Sequence, residues 1–109
     1  MTGVQTCALP ISLFKLTKNL KREFKYTIGE SLKNEMIELV TLIYRANTKR
    51  DKNDVLQEAR ERIEVVRLFI RLLKDLHEIN IKQQVYVNEL IENVSKQLTG
   101  WQKSLTRNN

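Results

Sequence analysis

The stretch that decides the fold is DVLQEARERIEVVRLFIRLLKDLHE, residues Asp54 to Glu78. Within it Leu56, Ala59, Ile63, Val66, Ile70 and Leu73 recur in steps of three and four, the spacing of one face of an α-helix. A second apolar row, Val65, Leu68, Phe69, Leu72 and Leu76, lies beyond the first, so the apolar arc exceeds the ~100° stripe of a helix resting on a surface. Arg60, Arg67, Arg71 and Lys74 fall within roughly 60° of one another at 100° per residue and form a basic stripe. A helix apolar over so much of its circumference requires neighbours on at least two sides.

The flanking sequence supplies them. Upstream, a helix is expected over about residues 28–46, opened by a capping box in which Thr27 is the N-cap and Glu30 answers three residues later. Its apolar rows are Ile28, Leu32, Met36, Leu39 and Ile43, with Ile37, Val40 and Tyr44 beside them. Residues 47–53 read as a basic loop, with Asp51 or Asn53 capping the next helix. Downstream, Asn80 is placed to cap a helix over about residues 81–103. Ile81, Val85, Ile91, Val94, Leu98, Trp101 and Leu105 fall near one face of it, Asn88 interrupts the seam, and Gly100 weakens the last turns. Residues 106–109 read as a polar tail.

Further upstream, Leu13, Leu16 and Leu20 mark the end of a first helix, with Ser12 available as its cap, and residues 22–26 read as a linker anchored by Phe24 and Tyr26. The first twelve residues, MTGVQTCALPIS, are uncharged and hold both the only Pro and the only Cys. They resemble a translated sequencing adapter and are set apart from residues 13–105, leaving the first helix truncated. The expected fold is all-α: an antiparallel up-down-up-down four-helix bundle with short loops. Apolar rows beyond what one bundle buries suggest assembly with further copies.

Composition narrows the function. The 109 residues suffice for one domain, and a formal net charge of +6 favours polyanions or an acidic protein partner without choosing between them. One Cys and one His leave no internal disulfide, no Cys-based or two-His metal site and little for acid–base catalysis. Glu58, Glu61 and Glu64 are spaced like carboxylate ligands but lack the Glu-x-x-His partner of di-metal bundles. No apolar run approaches the ~18 residues of a membrane span. The default is a cytoplasmic, non-enzymatic protein without cofactor.

Certain residues are more specific than this pattern. Phe24-Lys-Tyr-Thr-Ile-Gly-Glu30 enters the second helix and Tyr44-Arg-Ala-Asn47 closes it; the run Ala59 to Leu76 carries the third, and Leu98-Thr-Gly-Trp101 ends the fourth. In this order and spacing, residues 25–103 resemble the accessory variability determinant proteins of diversity-generating retroelements. These belong to a wider set of small bacterial four-helix bundles that includes the ribosomal-RNA intervening-sequence proteins. The chain departs by Thr99 where the family usually has Gly. It also lacks the Ser-Ile-Pro-Ala-Asn-Ile-Ala-Glu-Gly-like stretch of the intervening-sequence branch, and so sits closer to the retroelement branch. The resemblance implies a basic, barrel-shaped homopentamer without catalytic residues, which binds the element's reverse transcriptase and RNA or DNA. The alternative is an intervening-sequence-type bundle with a structural role.

The sites expected to bind partner or nucleic acid are the stripe Arg60, Arg67, Arg71 and Lys74, the cluster Lys18, Lys21 and Arg22 (flanked by Lys15 and Lys25), and Lys49 and Arg50 in the loop. Arginine's planar fork holds phosphate or carboxylate bidentately. Against this, a charge run is commonly a solvated helix face, and Arg67 can pair with Glu64 three residues before it. No aromatic RNA-recognition signature accompanies the basic clusters, so strong sequence specificity is not expected. Trp101 reads as core or subunit contact, and His77 as a partner of a helix C-terminal dipole.

Overall fold

The computed structural model describes residues 8–107; Cys7 with the rest of the segment before Ala8, and Asn108 and Asn109, lie outside the described residues. All regular structure among the described residues is helical: α1 (Ala8–Lys18), α2 (Glu30–Thr48), α3 (Asn53–Asp75) and α4 (Ile81–Arg107). Between α1 and α2 lie a single helical turn, Arg22–Phe24, and a π-helical turn, Lys25–Gly29. Helix α2 packs on α3 and α3 on α4, while α1 touches both α2 and α4. This cycle of neighbours, in a body of 48 × 22 × 19 Å, is compatible with the expected up-down-up-down bundle.

The inner row of α3 forms the centre of the core: Leu56, Ala59, Ile63, Val66, Ile70 and Leu73 are all fully buried. Leu32, Met36, Leu39, Leu42, Ile43 and Ala46 face them from α2, and Val87, Ile91, Val94, Leu98 and Trp101 from α4. Two polar ties fix the registers. Arg62 Nη1 donates to both carboxylate oxygens of Glu35 (2.9 and 3.0 Å), joining α3 to α2. At the other face of α3, Gln102 Nε2 donates to Asn53 Oδ1 (3.0 Å) and Gln57 Oε1 (3.3 Å), and Gln102 Oε1 accepts from Arg60 Nη1 (2.6 Å).

The outer rows stay in solvent. Leu68 is 65% exposed and Ile37 54%, with Val40, Tyr44, Leu72 and Leu76 also exposed. Ile81 and Val85, expected on the buried face of α4, are exposed too. At 100° per residue they stand roughly 80–180° from Val87, Ile91, Val94 and Leu98, the row that does pack.

Several local expectations are corrected. Among the described residues the first helix spans Ala8–Lys18, so Ser12 lies inside it and cannot cap it, and Leu9 joins the core. Residues 22–29 are helical turns, not a linker; Phe24 packs against the core but Tyr26 is exposed. Because the chain enters α2 already helical, there is no N-cap at Thr27. Its hydroxyl instead donates to the Glu23 carbonyl (2.9 Å), and Glu30 pairs with Lys33 (3.4 Å). The cap position of α3 is Lys52, without a side-chain bond, and α3 ends at Asp75, short of Glu78. Helix α4 runs through Gly100 to Arg107, and nothing lies within 4 Å of a Cβ placed at Gly100, so that glycine serves no close approach.

The turn between α3 and α4 follows from known end chemistry. The amide of His77 donates to the Lys74 carbonyl (3.0 Å) and that of Glu78 to the Leu73 carbonyl (2.9 Å), a Schellman pair. The residue that closes such a motif is left-handed, and here it is His77, at φ 62°. Asn80 caps α4 as expected and reciprocally: Gln83 N donates to Asn80 Oδ1 and Asn80 N to Gln83 Oε1, both at 2.8 Å.

Candidate functional site

Packing of α4 along the basic stripe of α3 gives its members different partners. Arg60, towards the start of α3, is engaged with Gln102. Arg67, at the middle, donates Nη1 to Glu92 of α4 and Nη2 to Glu64 one turn back (3.3 Å). Burial pulls its pKa down, but these hydrogen bonds outweigh it and hold the guanidinium above the ordinary arginine value. On the opposite face of α3, the hydrogen bond to Glu35 and the charge of that carboxylate likewise raise Arg62.

The last part of the stripe is different. Arg71 and Lys74 form no ion pair among the described residues. Both line an open groove of about 570 Å³ between α3 and α4, together with Arg67, Leu68, Gln84 and Asn88 and the carboxylates of Glu64 and Asp75. Arg67 Nε and Asn88 Oδ1 are buried without a hydrogen-bond partner in its wall, one a donor and one an acceptor. The groove thus offers two uncommitted cations, an unsatisfied donor–acceptor pair and the exposed Leu68, with acidic residues at its rim. Such a surface can hold a carboxylate- or phosphate-bearing partner with an apolar contact beside the charge.

The other basic residues expected to bind fall into two separate clusters. Lys18, Lys21 and Arg22 are exposed beside the α3–α4 turn, where the Lys21 amide donates to Glu78 Oε1 (2.7 Å) and its ammonium stands 3.9 Å from Glu78 Oε2. Lys49 and Arg50 are exposed in the α2–α3 loop. The length of α3, about 33 Å at 1.5 Å per residue, separates these clusters, so a single chain does not bring them together. Lys52 of the same loop lies over the Trp101 ring, 5.4 Å from its centroid.

Sequence reasoning missed Gln84 and Asn88 as groove residues. Asn88 was visible only as a polar break in an apolar seam, and which helix faces that break is a property of packing. Among the described residues no three His, Cys, Asp or Glu side chains are grouped so as to hold a metal, and no helix is long and apolar enough to cross a membrane.

Residues 5–105 match the family model described as bAvd-like. No curated protein and no solved structure matches the chain.

Proposed function

This chain belongs to the bAvd-like family, and we propose that it is a non-catalytic accessory subunit of a diversity-generating retroelement, holding the element's reverse transcriptase and nucleic acid on basic surfaces of an oligomeric up-down-up-down bundle. The observation that carries the site is the α3–α4 groove, where Arg71 and Lys74 have no internal partner while Arg60 and Arg67 do. Oligomerisation is supported by the apolar side chains the monomer leaves in water, Ile37, Val40, Leu68, Leu72, Ile81 and Val85. Copies related by symmetry would also repeat the end clusters Lys18/Lys21/Arg22 and Lys49/Arg50, which one chain keeps apart.

Co-expression with the reverse transcriptase encoded beside it tests the reading. The wild-type chain is expected to co-purify with the enzyme and to sediment as an oligomer. Arg71→Ala/Lys74→Ala, which removes no internal bond, is expected to retain its helicity and lose most of the enzyme. Unchanged recovery would remove the groove from the site. A wild-type chain that stays monomeric and recovers neither enzyme nor polynucleotide in low salt would overturn the function.

A further inference from the structure

A second groove, of about 330 Å³, lies between α1 and α4. Ser12, Lys15 and Leu16 line it from α1, Asn19 from just beyond that helix, and Gln83, Tyr86 and Val87 from α4. Its volume is at the lower end of the ~300–1,000 Å³ range of small-molecule-sized sites. Leu16 and Val87 are buried and make an apolar floor, while Tyr86 is 54% exposed beside them. At the rim, Gln83 uses its oxygen and its backbone amide in the cap with Asn80, which leaves its side-chain NH2 unengaged. Lys15 has no ion pair among the described residues.

The contrast with the α3–α4 groove decides the ligand. That groove sets Glu64 and Asp75 among its cations, so an anion there binds between charges of both signs. The lining of this one contains no carboxylate at all. One cation, two carboxamides and an open aromatic ring over an apolar floor are the parts that hold an unstacked base and its phosphate. A duplex keeps its base faces covered and has nothing to offer such a ring.

We propose that the α1–α4 groove is a subsite for one unpaired base of single-stranded nucleic acid, with Tyr86 as the stacking platform and Lys15 as the phosphate contact. This rests on the nucleic-acid arm of the function proposed above. Stacking is indifferent to base identity, so the subsite selects strandedness and not sequence. Lys18, one turn beyond Lys15 on α1, extends the path of the backbone toward Lys21 and Arg22.

The test is a titration of labelled 15-nucleotide oligouridylate in low salt, beside an abasic oligomer of the same length and a duplex. Wild type is expected to prefer the base-bearing strand over the abasic one by roughly 5- to 100-fold, the range of base–aromatic stacking. Tyr86→Ala should lose that preference, Tyr86→Phe should keep it within about twofold of wild type by retaining the π-face, and duplex binding should not respond to either change. Lys15→Ala should lower the salt slope on the single strand by ~0.7. Equal wild-type affinity for the two strands overturns the subsite, whether or not the variants fold. So does Tyr86→Ala that binds oligouridylate like wild type, or one that releases only the reverse transcriptase. If wild type binds single strands without any dependence on Tyr86, this inference alone fails. If it binds no polynucleotide, the nucleic-acid arm of the function fails with it.

Discussion

Replacing Glu78 should destabilise the protein far more than its surface position in the sequence suggests. Its side chain is only 4% exposed, and Oε1 accepts the Lys21 backbone amide at 2.7 Å across 57 residues of chain. It therefore clamps the corner after α1 to the turn between α3 and α4. The Lys21 ammonium stands 3.9 Å from the other oxygen but is 73% exposed. An exposed pair of this kind contributes about 0–0.5 kcal/mol, whereas a hydrogen bond to a charged acceptor is worth ~1.5–3 kcal/mol. Glu78→Ala should thus cost about 2–3 kcal/mol. Glu78→Gln, which keeps an acceptor but loses its charge, should cost about 1 kcal/mol, and Lys21→Ala under ~0.5 kcal/mol. For a domain of this size the first change lowers Tm by roughly 8–15 °C. Urea unfolding followed by circular dichroism at fixed protein concentration measures the series. Were Lys21→Ala to cost as much as Glu78→Ala, the ion pair and not the backbone clamp would hold the corner, and the reasoning would be refuted.

Further changes probe separate links. His77→Gly should stabilise by about 0.5–1 kcal/mol, because relief of a left-handed residue (~1–2 kcal/mol) exceeds the added freedom of glycine in the unfolded chain; a lower Tm would place His77 in a contact the turn needs. Gly100→Ala should stabilise by a similar ~0.5–1 kcal/mol, since a Cβ there meets nothing within 4 Å and the residue is helical; destabilisation would mean that a partner approaches this backbone. Ile70→Ala, at a fully buried position, should cost about 2–4 kcal/mol, while Leu68→Ala, two residues away and 65% exposed, should cost under ~0.5 kcal/mol. If the outer row joins copies, Leu68→Glu/Leu72→Glu should instead shift sedimentation toward the monomer, and an unchanged oligomer would exclude this row from the contact.

Helix content and the inner core were legible because both depend on spacing within one segment. The row from Leu56 to Leu73 buries as its period requires, and Asn80 caps α4 because a cap is local chemistry. Where the local signal was ambiguous the reading failed. Thr27-Ile-Gly-Glu30 has the form of a capping box, yet the turn before it is already helical, so the same hydroxyl bonds backward to the Glu23 carbonyl. Ile81 and Val85 are apolar at a tolerable spacing, but only one row of α4 can face α3, and it is the one through Ile91 and Leu98.

The amino-acid sequence by itself determined that this protein is helical, that α3 is central, that its surface is basic and that its helices carry more apolar surface than a single bundle covers. Each of these follows from residue type and period along one helix. Tertiary structure alone decided which charges are available. Arg60, Arg67, Arg71 and Lys74 are equivalent on a helical projection, and they become different only when α4 brings Gln102 and Glu92 to the first two and leaves a groove at the last two. Tyr86 and Lys15 likewise lie 71 positions apart and share a groove only because α1 packs on α4. A guanidinium's partners are set by distances across helices, and no periodicity within one helix contains them.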